Sequence, residues 1–206
     1  KAVDALITRD QKLAEEVINH DEYLDQIEVE IEEECLKILA LHQPVAIDLR
    51  YVVSVLKMNN DLERIGDLAV DISERAVYLA SHPPVDVPLD FRGMADVTQL
   101  MLKKSLDALV NSDSHLARQV RASDDEVDAM NQGMFSVIQD YIRRHPDRVA
   151  EAIHLLSASR HLERIADQAT NIAEDVIYMI EGIIVRHQPE VFTDNEVSAS
   201  PQQPRT

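Results

Sequence analysis

The 206-residue chain carries 38 acidic side chains against 20 basic ones, a formal charge of −18. That balance excludes a binder of phosphate backbones, which would cluster Lys and Arg where nothing longer than Arg143-Arg144 occurs. It also disfavours a bare anionic membrane surface.

Apolar residues recur at three-four spacing almost everywhere, and no alternating strand pattern is present, so the chain reads as all-α. Aromatics make up only 4%, with no Trp and four Gly, which suits helices packed through Leu, Ile, Val and Ala. A short helix is predicted over 2–6. It breaks at Thr8-Arg9-Asp10, where Asp10 caps a further helix to about Asn19. A second long helix runs from about Glu22 to Leu41 and places Cys35, the lone cysteine, in its core pattern. Pro44 ends that helix, and a third, from about Val45 to Leu79, spans roughly 50 Å at 1.5 Å per residue. Pro83, Pro84 and Pro88 make 83–88 a linker. A helix then runs from about Leu89 to Val110, with a break at Asn111-Ser112-Asp113 and a short helix to about Arg121. Ser123-x-x-Glu126 has the form of a capping box opening a helix to about Arg144. Pro146 marks a turn, and the last helix is predicted from about Val149 to Val185. Residues 188–206, with Ser, Pro and Gln prominent, read as a disordered tail. No apolar run approaches the ~20 residues of a membrane span, and no signal-peptide pattern opens the chain, so a cytoplasmic protein is the expectation.

The chain is a tandem duplication. Leu62-Glu63-Arg64-Ile65-x-Asp67-x-Ala69-x-x-Ile72-x-Glu74 returns as Leu162-Glu163-Arg164-Ile165-x-Asp167-x-Ala169-x-x-Ile172-x-Glu174, at an offset of 100. Asp21-x-x-x-Asp25 returns as Asp124-x-x-x-Asp128 at an offset of 103, and Pro44 as Pro146 at 102. Residues 90–103, which lead into the second copy, have no counterpart before Lys1, so the first helix is expected to lack its N-terminal half. The expected architecture is two three-helix bundles: residues 1–82, the linker 83–88, residues 89–187, and the tail.

The repeat preserves carboxylates four residues apart on one helix face, where like charges repel. On a helical wheel Glu63, Asp67, Asp71 and Glu74 form a line almost opposite the packing seam of Leu62, Ile65, Ala69, Ile72, Ala76 and Leu79. The second copy offers Glu163, Asp167, Asn171 and Glu174. The preceding helices add Asp21, Asp25, Glu28 and Glu32, then Asp124, Asp128 and Asn131. Two readings stand. The acids are solvated faces, with Asp21 and Asp124 favouring helix N-termini, or they hold hard cations such as Mg, Mn, Fe(III) or Ca. Glu151-x-x-His154 has the spacing of di-iron carboxylate bundles, but the first copy offers Tyr51 and Ser54 there. The eight histidines show no zinc-ligand grouping, and no phosphate loop or nucleophile elbow occurs, so no catalytic residue is assigned. A metal-dependent carboxylate-bundle hydrolase or oxidase is the alternative function.

The stretches 60–69, Ala40-Leu41-His42-Gln43-Pro44-Val45-Ala46-x-Asp48-Leu49-Arg50, and 163–174 resemble the PhoU family, with likeness extending over residues 1 to about 187. That resemblance implies two side-by-side three-helix bundles carrying multinuclear metal clusters, iron or zinc. The implied ligand motifs correspond to Asp21/Asp25 with Glu63/Asp67 and Asp124/Asp128 with Glu163/Asp167; Asp71 and Asn171 continue the stripes. It further implies a non-enzymatic cytoplasmic negative regulator, a homodimer, linking the ATPase subunit of a phosphate ABC transporter to a sensor histidine kinase. Gln168 stands where a His is common in that family, which bears on the second cluster.

Overall fold

The computed structural model describes residues 1–186, so the predicted tail at 188–206 lies outside the described residues. These form α1 (Ala2–Thr8), α2 (Gln11–His42), α3 (Ala46–Ala80), α4 (Phe91–Asn111), α5 (Ser114–Ala122), α6 (Asp124–Arg144), a 3-10 turn (Pro146–Arg148) and α7 (Val149–Glu181). There is no strand among the described residues, and no described helix is long and apolar enough to cross a membrane. Helices α1 to α3 make one three-helix bundle. Helix α4, the α5–α6 pair and α7 make the other.

The bundles lie side by side because α3 and α7 pack antiparallel, as three contacts along the seam record. Lys57 meets Asp175, Asp71 faces His161, and Tyr78 stacks on His154 with ring centroids 3.7 Å apart. Leu68 and Ile72 of α3, Met94 and Met101 of α4, and Ile172, Val176 and Ile177 of α7 join one core, each at most 1% exposed. Each such side chain contributes on the order of 1.5–3 kcal/mol through removal from water.

Both predicted breaks occur, and by the same device. Arg9 and Ser112 adopt left-handed conformations with φ of 58° and 52°. Asp10 then accepts hydrogen bonds from the N–H groups of Lys12 and Leu13 at 3.0 and 3.1 Å, and Asp113 from that of Leu116 at 2.9 Å. Other predicted boundaries move. First, α2 is a single helix across residues 19–22, because the chain there holds neither Gly nor Pro and Asp21 continues the helix instead of capping a new one. Second, the capping box at Ser123 does not form: the residue is helical in φ and ψ, and its Oγ donates back to the Gln119 carbonyl at 3.1 Å. Third, α7 ends at Glu181, where Gly182 takes φ 72° and donates to the Tyr178 carbonyl at 2.9 Å. Cys35 is buried as predicted.

The linker is clamped on both sides. Nη2 of Arg148 donates to the Pro83 carbonyl at 2.6 Å, and Nη2 of Arg9 donates to the carbonyls of Leu79 and His82. Val85, Val87 and Leu89 pack on Ile138, Tyr141 and Ala152, which covers the α6–α7 face. Asp90 caps α4 by accepting from the Gly93 N–H at 2.8 Å, so that helix begins at Phe91, later than predicted.

The two bundles are unequal where α1, with 7 residues, replaces the 21 of α4. Leu162 and Ile165 are buried at 3% and 8%, whereas Leu62 is 36% exposed. A groove of about 320 Å³ lined by Ala2, Ile65, Ala69 and Ile72 opens beside the short helix. Gly66 faces α2, and a methyl group there would meet Leu24 Cδ1 at 3.0 Å.

Two substitutions test this packing by chemical denaturation. Ile172→Ala leaves a cavity in the shared core and is expected to lower stability by about 2–5 kcal/mol. Gly66→Ala is crowded by the end of a 40%-exposed leucine that can turn aside and makes ordinary contact with Asp21 Oδ1 at 3.6 Å, so it is expected to be neutral or to stabilise by up to about 1 kcal/mol through helix propensity.

Candidate functional site

The repeat places each acidic set between two helices of its own bundle. In the first, Asp21 and Asp25 of α2 face Glu63 and Asp67 of α3. The carboxyl of Asp21 is held above its usual range by burial, then by Asp25 and Asp67. That of Glu63 is raised by burial and by Asp67, Asp25 and Glu28. In the second bundle Asp124 and Asp128 of α6 face Glu163 and Asp167 of α7. Asp124 is raised by burial and by Asp128. Glu163 is raised by burial, Asp128 and Asp124. Asp167, though its own surface is open to water, is pushed up to about 6 by surrounding protein and by Glu163, Asp124 and Asp128. The eight residues thus lie as two sets of four within electrostatic reach of one another, like charges together.

Partial compensation comes from neighbours. Nη1 of Arg64 holds Asp67 at 2.7 Å, and Thr170 Oγ1 donates to Asp124 at 3.2 Å. Among the described residues, no three His, Cys, Asp or Glu side chains converge closely enough to hold a metal ion. The donor chemistry of both sets is nevertheless all oxygen and all anionic. That set fits a hard cation, which would neutralise the repulsion, and supplies none of the nitrogen or sulfur donors that zinc favours.

The outer members of the stripes are placed differently. Asp71 rotates towards α7, where its Oδ2 lies 3.6 Å from Nδ1 of His161, a buried nitrogen with no hydrogen-bond partner. Burial and then Arg75, Arg164 and Arg64 keep this imidazole below its usual pKa, against the opposing pull of Asp71. Asn171 is half-buried. Glu74 is half-exposed, whereas Glu174 is nearly buried between Arg121 at 3.2 Å and Arg186 at 3.7 Å. Asn131 accepts from Ser159 Oγ instead of joining a carboxylate set. Glu151 pairs with Arg148 at 2.9 Å, and His154 is stacked on Tyr78, so the Glu-x-x-His spacing is occupied by structural contacts.

One charged group escaped the sequence reading. Asp175, 2% exposed in the α3–α7 seam, is held by Lys57 at 2.6 Å and Arg186 at 3.1 Å, and its Oδ2 has no hydrogen-bond partner. Burial and this neighbour push Asp61 up to about 6, against the pull of Arg186 and Lys57. The signal was available: an acid within the apolar run Ile172, Val176, Met179 of a seam helix.

A family model described as the PhoU domain matches residues 1–76 and 91–176. The phosphate-specific transport system accessory protein PhoU homolog of Aquifex aeolicus is 40% identical over 188 residues, covering 91% of this chain and 85% of that protein. The homolog from Pseudomonas aeruginosa is 39% identical over 189 residues, covering 90% and 77%. The crystal structure of PhoU from Pseudomonas aeruginosa superposes with a TM-score of 0.84 at 38% identity, covering 88% of each chain. That of the phosphate transport system regulatory protein PhoU from Streptococcus pneumoniae gives 0.78 at 29% identity, covering 89% and 86%.

The raised carboxyl of Asp167 fixes a pH dependence. Its protonated form is favoured on folding, so it contributes stability at acid pH that is lost as pH rises from about 4 through about 6. Asp167→Asn is therefore expected to raise the thermal midpoint of chelator-treated protein at pH about 7.5 and leave it unchanged at pH about 4. Melting curves of both proteins at the two pH values check this.

Proposed function

The chain belongs to the PhoU family, and from that premise we propose that it is an accessory regulator of phosphate transport. It acts as a negative regulator of the phosphate-starvation response and a modulator of phosphate uptake. In this reading it is a non-enzymatic cytoplasmic adaptor. It contacts the ATPase subunit of the phosphate ABC transporter and the sensor histidine kinase of the phosphate two-component system, which recruit it to the inner face of the membrane, and it assembles as a homodimer.

The observation that carries the metal-binding part is the matched pair of four-carboxylate sets, since one such face is a common solvated surface and two in register are not. Asp21, Asp25, Glu63 and Asp67 would hold one cluster, and Asp124, Asp128, Glu163 and Asp167 the other. A bound cation supplies positive charge that relieves their mutual repulsion, and their oxygen donors favour iron, manganese or magnesium over zinc. The protein's own part is positional. Helices α2 and α3 hold the first set at the surface of one bundle, and α6 and α7 hold the second, so each is open to a partner's acidic group or to phosphate. The ion pair of Arg64 with Asp67 competes with any cation there. Ser157 Oγ lies 3.0 Å from Nε2 of His161, but in the α3–α7 seam and outside both sets. Regulation is preferred over hydrolysis because the relatives are described as accessory proteins of phosphate transport.

Elemental analysis of protein purified without chelator tests the reading, alongside a variant with Glu63, Asp67, Glu163 and Asp167 changed to Ala. Several transition-metal ions per chain, lost in the variant together with phosphate-responsive repression, are expected. A wild type that binds no offered Fe, Mn, Mg or Zn, with repression intact in the variant, would overturn it.

A further inference from the structure

The two copies also differ at the tips of their long helical hairpins. In the first, the end of α2, the turn at Pro44 and the start of α3 expose Leu36 (52%), Leu41 (77%), Val45 (73%), Ile47 (57%), Leu49 (41%) and Tyr51 (52%). At the repeat offsets, the second copy has Gln139 for Leu36, Arg144 for Leu41, Asp147 for Val45 and Glu151 for Tyr51. The second tip therefore serves as an internal control: the fold does not require apolar groups there. Single exposed hydrophobics are ordinary, but a concentration at one end of one hairpin marks a contact surface.

The backbone carries a second sign. Gln43 and Ala46 hold φ of 46° and 50°, the left-handed region that side chains other than Gly enter at a cost, on either side of Pro44. Val45, between them and outside the helices, supplies no side-chain cap and is presented to solvent.

We propose that this tip docks a protein partner whose surface is an apolar patch rimmed by Lys and Arg. The charge around it selects that chemistry. Glu33, Glu34 and Asp48 ring the tip in exposed positions, while Lys37 is shared by two of them at 3.7 and 3.6 Å. The other nearby cation, Arg50, is turned away, its Nε donating to the Met179 carbonyl at 3.4 Å. The rim is thus acidic with its cations engaged, and it matches a basic rim. A second copy of the same tip would bring like charges together. The second repeat keeps one apolar residue there, Val149, among Gln139, Arg144, Asp147 and Glu151, so its tip offers arginines and no apolar cluster. Tyr51 is the side chain of the type that anchors interfaces. The inference deepens the adaptor reading and rests on it only in supposing that a protein partner exists.

A photo-crosslinking benzoylphenylalanine placed at Val45 of the full chain, in the cells that express it, tests the proposal, with the same probe at exposed Val110 of α4 as control. The expected product, found at Val45 and absent at Val110, joins another protein through a peptide with apolar residues flanked by Lys or Arg. Adding Leu41→Glu and Ile47→Glu is expected to reduce its yield roughly tenfold or more with an unchanged melting curve, because both positions are exposed. A crosslink to a second copy, to residues 187–206 of the same chain, to an acidic surface, or to nothing would overturn the proposal. A basic-rimmed partner that is neither transporter ATPase nor sensor kinase would uphold the docking surface and overturn the adaptor assignment, so the two readings fail separately.

Discussion

The antiparallel packing of α3 on α7 is the constraint on which the rest of the molecule depends. Each helix has to present an apolar face to its own bundle and a second contact face to the other's long helix, which leaves only its outward side for charge. The carboxylates at 63, 67, 163 and 167 occupy that remaining side and meet the acids of α2 and α6 across it. Duplication makes the seam nearly symmetric in shape while leaving its chemistry free to differ. At one end Asp175 is tied to Lys57 and Arg186; further along, before the Tyr78–His154 stack, His161 faces Asp71 without a close hydrogen bond between them. Both places hold titratable groups in poor contact with water, so the seam is more demanding electrostatically than a purely apolar interface.

The acidic sets and the seam illustrate two different treatments of charge. In the seam each buried acid is given a cation at short range, which limits the desolvation penalty. In the sets the carboxylates are arranged against one another, with relief from Arg64 and Thr170 at close range and from Arg160 and Arg164 nearby. Folding alone would favour replacing half of them with Lys or Gln, as natural helix surfaces commonly interleave signs. Their persistence in both copies is what motivates the proposed cation sites.

Most of the fold was legible from the chain because its signals are local. The breaks at Arg9-Asp10 and Ser112-Asp113 combine a polar cap with the end of an apolar pattern, and both form as read. The proline turns at 44 and 146 likewise follow from missing N–H groups. The misread boundary at 19–22 has the opposite character: Asp21 can cap a helix or continue one, and only the packing of Leu24 against Gly66 and of α2 along α3 decides. The core set of four carboxylates per copy followed from the repeat. The turn of Asp71 towards α7 did not, because a helical wheel assigns a side chain to an angle but not to a neighbour. Asp175 was hidden for the same reason, since its partners lie more than a hundred residues away on α3 or beyond the end of α7.

Helix α7 touches every other long element of its own bundle and α3 of the first, yet it is the last described helix to leave the ribosome. Until it emerges, Leu68 and Ile72 of α3 and Met94 and Met101 of α4 lack much of the surface that buries them. The second bundle therefore cannot close until α7 is made, and the flank of α3 that faces α7 stays open until then. The shared core thus couples the folding of the two copies, although the sequence reads as two successive modules.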